Sequence, residues 1–315
     1  MHATLWAWIG FNLFVVVMLA IDLGVFNRKA HVIGFREALG WSIVWIAMAL
    51  AFNLGLLIFH GPQVATEYLA GYLIEKALSV DNVFVFLLVF TYFGVDRRYQ
   101  HRVLFLGILT ALVLRGVMIL AGTALIARFH WVLYVFGVFL IVTGVKMAIA
   151  SESHLDPGDT LVVRLARRFL PITDGCREAH FVVRENGRWM FTPLFVVLLV
   201  VETTDVVFAL DSIPAIFAVT RDPFIVYTSN VFAILGLRAL YFLLAGAFEV
   251  FRYLKYGLAF VLAFVGVKML LDGSRWEMSV GFALGVVAIA LLLSILVSLI
   301  VARHERAAAA KERTG

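Results

Sequence analysis

The sequence predicts an all-α polytopic membrane protein of about nine transmembrane helices, built around an inverted repeat of three helices each. Three observations carry that prediction. Hydrophobic residues make up 63% of the 315 and charged ones only 15%, with a mean hydropathy of +0.99, whereas soluble domains are about 45 to 50% apolar and about 25% charged. Nine stretches approach or exceed the roughly 20 apolar residues that cross a bilayer. Short polar motifs recur inside those stretches at matching distances.

In chain order the stretches are 5–26, 39–60, 68–92, 103–126, 130–150, 193–217, 227–248, 256–272 and 279–302. The first carries Asn12 and Asp22, has no basic segment ahead of it and is too long for the apolar core of a cleaved signal, so it is read as a retained span. The second contains Asn53 and begins near Trp41 and Trp45, side chains suited to the membrane interface. The last is uniformly apolar, with Gly281 and Gly285 four apart, a spacing that permits close helix approach. A single membrane domain therefore covers 1–315, and one soluble segment of any size, 151–192, interrupts it. Within that segment 161–170 mixes arginines with apolar residues and reads as an interfacial amphipathic helix, and 181–191 around Asn186-Gly187 reads as a β-hairpin. A solvated connector is the simpler role for the segment; a partner-binding or regulatory surface is the alternative.

Charge fixes an expected orientation. Arg28, Lys29 and Arg36 follow span one; Arg97, Arg98 and Arg102 follow span three; Arg164, Arg167, Arg168, Arg177, Arg184 and Arg188 follow span five. Arg252 and Lys255 follow span seven, and Arg303, Arg306, Lys311 and Arg313 close the chain. The opposite loops hold only Arg128, Arg221 and Arg275. By the positive-inside rule the N-terminus is outside and the C-terminus cytoplasmic. This alternation also accounts for the pI of 9.4, so no nucleic-acid partner is inferred. The single Cys176 rules out an internal disulfide and a thiolate metal cluster.

The repeat is visible in three motifs. Asp81-Asn82-Val83-Phe84 matches Asp205-Val206-Val207-Phe208, Leu114-Arg115-Gly116 echoes Leu237-Arg238-Ala239, and Gly144-Val145-Lys146-Met147 recurs as Gly266-Val267-Lys268-Met269. From Asp81 to Arg115 is 34 residues and from Asp205 to Arg238 is 33; from Arg115 to Lys146 is 31 and from Arg238 to Lys268 is 30. The copies occupy 67–150 and 193–273, followed by the final helix 279–302. Three spans per copy is an odd number, so the second enters from the opposite side of the membrane. Transporters built this way bind substrate near the midplane at the repeat interface.

Candidate site residues are the ionisable and amide groups inside spans. Glu75, Asp81 and Asn82 lie in the third stretch, and Glu202, Asp205 and Asp211 in the sixth. Each intramembrane charge costs about 2.5 to 3.5 kcal/mol on insertion scales, so such groups face a partner or a wet cavity. Carboxylates, amides and hydroxyls are hard oxygen donors suited to Mg, Ca or Mn. His60 and His130 sit at span ends, which argues against a zinc or copper site. Ser79, Ser212, Asp22 and Lys76 are supporting candidates, and the matched bases Arg115, Arg238, Lys146 and Lys268 are expected to clamp acids structurally or as gates. Charge pairing among these six acids and five bases is the competing explanation. Met147 and Met269 are a softer matched pair whose simpler role is packing. Pro214, which removes a donor and disfavours α geometry at Ile213, predicts a kink or break at Asp211-Ser212-Ile213-Pro214.

With those residues in view, the chain resembles the TerC family of integral membrane proteins, within it the Alx-like branch, over nearly everything from Ala20 to Arg303. The segments that carry the resemblance are Gly71-Tyr72-Leu73-Ile74-Glu75-Lys76 running into Ser79-Val80-Asp81-Asn82-Val83-Phe84, then Asp211-Ser212-Ile213-Pro214-Ala215-Ile216-Phe217-Ala218-Val219, and Ser229-Asn230-Val231-Phe232-Ala233-Ile234-Leu235-Gly236-Leu237-Arg238. The resemblance implies a bacterial inner-membrane protein of the lysine-exporter superfamily, with members linked to manganese export, alkaline-responsive expression, tellurite resistance or redox modulation. It implies the acidic motif at Glu75, Asp81, Asn82, Glu202, Asp205 and Asp211. No haem, flavin or dithiol motif accompanies it, so the expectation is a non-enzymatic exporter of a divalent cation, Mn2+ foremost, with no prosthetic group and the lipid bilayer as its surroundings. A non-transporting membrane scaffold or stress-response factor is the alternative.

Overall fold

Helix starts are set by local chemistry wherever the chain turns at the membrane edge. In the computed structural model, which describes residues 4–21, 34–149, 158, 160–173, 180–185, 187–245 and 254–312, α1 (Leu5–Ile21) and α2 (Phe35–His60) precede α3 (Pro62–Tyr92). Gly61, at φ 89°, makes the tight α2–α3 turn, and Pro62 takes the first helical position, where its missing N–H costs no ladder bond. The side chain of Asp96 accepts from the N–H of Arg98 at 2.9 Å and caps α4 (Arg97–Arg128); α5 (Val132–Ile149) follows.

Between the copies lie α6 (Leu161–Phe169) and the antiparallel strands β1 (Val182–Glu185) and β2 (Arg188–Phe191), paired from Val182 with Phe191 to Glu185 with Arg188. Val163 and Ala166 of α6 pack into the core beside α7 (Pro193–Phe217), while Leu161, Leu165 and Phe169 stay exposed. The second copy continues with α8 (Pro223–Leu235), α9 (Leu237–Leu244) and α10 (Leu254–Leu270), and α11 (Val280–Glu312) ends the fold.

The nine expected spans correspond to α1, α2, α3, α4, α5, α7, α8 with α9, α10 and α11. Among the described residues six stretches are long and apolar enough to cross a membrane: Phe35–His60, Arg97–Arg128, Val132–Ile149, Pro193–Phe217, Pro223–Leu244 and Val280–Val301. α1 and α10 have only 17 residues each. α3 has 31, but Glu67, Glu75, Lys76 and Asp81 keep it outside that set.

α3, α7 and α8 form the centre, and α8 has its Thr228, Ser229 and Asn230 fully buried. α11 lies at the periphery, with Phe282, Ile289 and Leu292 exposed as befits side chains facing lipid. α5 and α10 pack along each other through small residues. A Cβ on Gly144 would stand 2.6 Å from the Ala259 carbonyl, and one on Gly266 would stand 2.6 Å from the Gly137 carbonyl. Adding 122 to 144 and 137 gives 266 and 259, so each contact maps onto the other when the helices exchange roles. That reciprocity is the mark of a local twofold relation between the two Gly-Val-Lys-Met helices.

The break expected near Pro214 does not occur. α7 is helical throughout Pro193–Phe217, with Pro214 in its last turn, so no break occurs at Asp211-Ser212-Ile213-Pro214. Pro214 withholds one donor, from the Leu210 carbonyl, with less than a turn of helix after it, and Ile213, Ala215 and Ile216, all at most 3% exposed, hold the α geometry by packing. The interruption lies instead at Gly236, between α8 and α9. There the Lys76 ammonium donates to the Ala233 carbonyl at 3.4 Å and sits 2.6 Å from where a Cβ of Gly236 would be. A side chain at 236 would displace the ammonium.

Candidate metal centre

Arg115, on α4, occupies the middle of the bundle and is 2% exposed. A guanidinium is a rigid fork of five donors, suited to holding two carboxylates at once. Its Nη2 donates to Asp205 Oδ1 at 3.0 Å and its Nε to Asp205 Oδ2 at 3.4 Å, both on α7. Nη1 bonds Glu75 Oε1 on α3, Asn230 Oδ1 on α8 at 3.1 Å and Ser212 Oγ at 3.3 Å. Asn230 closes the ring by donating to Glu75 Oε2 at 3.0 Å. Arg115 therefore unites α3, α4, α7 and α8, and Glu75 and Asp205 are spoken for by one shared cation.

Beside this clamp is a cavity of about 30 Å³ lined by Glu75, Leu78, Asp81, Asn82, Met147, Phe208, Asp211, Ser212 and Leu262. Asn82 is 2% exposed and its Oδ1 has no hydrogen-bond partner. A buried amide oxygen without a donor costs about 1 to 3 kcal/mol. Asp81 feels the charge of Lys255 at the start of α10, and Thr143 of α5 stands next to Asp211. Neither Asp81 nor Asp211 is among the partners of Arg115.

Six of the nine lining residues come in pairs. Leu78 and Phe208, Asp81 and Asp211, and Asn82 and Ser212 each differ by 130 in residue number, and so do Glu75 and Asp205, the two acids on Arg115. In space Asp81 thus corresponds to Asp211, not to Asp205 as the motif comparison aligned it. That alignment took the Val-Phe that follows each acid as its guide, whereas the structure pairs acids by their common separation of six residues.

The expected site residues consequently divide. Asp81, Asn82, Asp211, Ser212 and one side of Glu75 share the cavity. Glu202 and Asp205 line a second, smaller one of about 10 Å³ with Gly107, Ala111 and Leu237. Both carboxylate oxygens of Glu202 are buried; Thr110 stands next to it, its hydroxyl donating to the Leu106 carbonyl at 3.1 Å. Ser79 lines neither cavity and is buried with its hydroxyl unpartnered. Among the described residues no three His, Cys, Asp or Glu side chains converge as a ready-made metal cluster, so the six-residue set does not form one coordination sphere.

The bases are equally dispersed. Arg115 is the clamp. Lys76 serves the α8–α9 break, Lys268 donates to the Ala218 carbonyl, Arg238 is buried on α9, and Lys146 is exposed. Lys146 and Lys268, equivalent in the repeat, therefore occupy unlike surroundings. Asp22 and Cys176 lie outside the described residues. Asn230 and Thr143 touch candidate residues but were not singled out by sequence reasoning, although an asparagine within an apolar span was a visible cue.

A model described as "Integral membrane protein TerC family" matches residues 60–306. An uncharacterized membrane protein of Myxococcus xanthus is 55% identical over 94% of this chain and 93% of its own length. A "Putative membrane-bound redox modulator Alx" of Escherichia coli K12 is 50% identical over 92% of this chain and 93% of its own. An uncharacterized membrane protein of Rickettsia felis is 44% identical over 84% of this chain and 87% of its own. No solved structure matches.

Proposed function

Because the chain belongs to the TerC family of integral membrane proteins, we propose that it is a secondary exporter of a divalent cation, Mn2+ foremost, in a bacterial inner membrane with its N-terminus outside. The observation that supports this reading most is the unpartnered Asn82 Oδ1 of a cavity that Asp81 and Asp211 also line, large enough for an ion. Arg115 already pairs with both Glu75 and Asp205, leaving that group with one net negative charge. Asp81 and Asp211 remain, two carboxylates for a dication, and Asn82 and Ser212 add neutral oxygen donors. Hard oxygen ligands of this kind suit Mg, Ca and Mn.

Transport is a consequence of the repeat. The cavity is lined by equivalent residues of α3 and α7, and the two copies meet again along α5 and α10. Rocking one copy against the other, as an inverted pair, opens the same ligands to either side in turn. Driving a dication outward against an inside-negative potential costs about 4.6 kcal/mol per 100 mV, two charges at about 2.3 each. Protons taken up by the vacated carboxylates supply the opposing charge movement.

The test is elemental analysis of Mn-loaded cells lacking their own exporters, with wild type, Asp81→Asn, Asp211→Asn and empty vector at equal expression. Wild type alone should lower cellular Mn. Unchanged efflux in both variants removes the site, and no difference between wild type and vector removes Mn export. The name borne by the Alx relatives favours a second reading, redox modulation. Cys176→Ser decides it: the redox reading requires loss of phenotype, and export predicts none. Deleting the β1–β2 hairpin tests the scaffold alternative, which requires loss of phenotype with efflux intact.

A further inference from the structure

The cavity contains one donor that is not oxygen. Met147, on α5, is half-buried and lines it together with Asp81, Asn82, Asp211 and Ser212. Its equivalent in the second copy, Met269, is 2% exposed and packed in the hydrophobic core, absent from the cavity lining. Asp81 with Asp211 and Asn82 with Ser212 obey the repeat, whereas Glu75 and Met147 line the cavity without Asp205 and Met269. Both methionines touch the same hydrophobic cluster, but only Met147 also reaches the cavity.

Resting on the reading of this cavity as the ion site, we propose that Met147 is its specificity-determining residue, admitting a borderline transition-metal dication and discriminating against Mg2+ and Ca2+. Thioether sulfur is a soft donor, and Mg and Ca are served by oxygen. A coordination position given to sulfur is thus lost to the hard ions and usable by the softer ones. The size of the cavity acts in the same direction. A cavity of about 30 Å³ has room for about two waters, so the ion enters without its full hydration shell. Mg2+ dehydrates reluctantly and keeps several waters, while Ca2+ takes 6 to 8 oxygens. So small a space does not hold the waters that Mg2+ keeps, whereas the side-chain oxygens of Asp81, Asn82, Asp211 and Ser212 come near the number Ca2+ takes, so discrimination against Ca2+ falls to the sulfur. Specificity here comes as much from what the site withholds as from what it offers.

The experiment uses the full chain carrying Cys176→Ser, which removes the only thiol, reconstituted in lipid nanodiscs. Mn2+ binding is read from loss of the free-ion paramagnetic resonance signal, with Mg2+ and Ca2+ as competitors. Halving bound Mn2+ should need at least 100-fold excess of either competitor in the parent and at least tenfold less in Met147→Leu. Met147→Gln, of similar length and bearing an oxygen, should move the preference further toward Ca2+. Met269→Leu should behave as the parent. X-ray absorption of bound Cd2+, a softer surrogate, should show a sulfur scatterer in the parent that is missing in Met147→Leu. Competition unchanged within twofold in both Met147 variants, or Cd2+ bound by oxygen alone, overturns the role of Met147 and leaves the ion site standing. Failure of the parent to bind Mn2+ at all overturns the ion site, and this inference with it.

Discussion

Replacing Arg115 by leucine tests the centre of the structure most severely. The guanidinium is 2% exposed, and its loss strips two carboxylates of 1% and 6% side-chain exposure of their cation. Breaking a buried pair by removing one partner costs about 3 to 5 kcal/mol, because the other charge stays buried. Asn230 Oδ1, fully buried, also loses its donor, adding about 1 to 3 kcal/mol. Arg115→Leu should therefore destabilise by about 4 to 8 kcal/mol, a large part of the roughly 5 to 15 that folded proteins typically possess. Unfolding in detergent micelles, titrated with SDS and followed by circular dichroism, measures the change. Because the single variant can fail to accumulate, the triple variant Arg115→Leu, Glu75→Gln, Asp205→Asn is the companion. It removes the stranded charges and should recover more than half of the loss, while Arg115→Lys, which keeps the charge without the fork, should fall between. A loss under about 1 kcal/mol in Arg115→Leu, or a triple variant no more stable than the single, would refute the clamp.

Two further perturbations separate close packing from mere apolarity. Gly144→Ala and Gly266→Ala force a methyl group against backbone carbonyls on the facing helix and should each cost about 1 to 3 kcal/mol in the same unfolding assay, whereas Gly281→Ala, with nothing within 4 Å, should be neutral. Asp222→Ala removes the side chain that accepts from the N–H groups of Phe224 and Ile225 at the start of α8 and should cost about 1 kcal/mol, most visible as faster amide exchange in the first turn of α8.

The motif comparison found the duplication and misaligned its first helix. At the Gly-Val-Lys-Met helices the offset of 122 is right, as the reciprocal approach of Gly144 and Gly266 demonstrates. At α3 and α7 the shared Val-Phe drew Asp81 onto Asp205, while the cavity sets the offset at 130. The two offsets differ because the connections between helices differ in length, which similarity within each helix does not reveal. Pro214 misled for a related reason. The rule that proline interrupts helices is local, and whether the interruption falls mid-span or in a final turn depends on where packing ends the helix.

By itself the sequence determined the features that the solvent dictates. A chain with 63% hydrophobic residues and its cations alternating between loops has to cross a bilayer repeatedly, and acids inside those crossings have to meet a counter-charge or a cavity. Those are one-body costs, readable residue by residue. Which acid meets which group is a many-body matter. Glu75, Arg115, Asp205 and Asn230 are up to 155 residues apart along the chain, and only the packing of α3, α4, α7 and α8 put them in one ring. The same packing tied Glu75 and Asp205 to Arg115, left Asp81 and Asp211 facing a cavity, and placed Met147 there while burying Met269. Tertiary structure made those choices because hydrogen-bond reach and ligand geometry are set by distances between helices, which no single helix encodes.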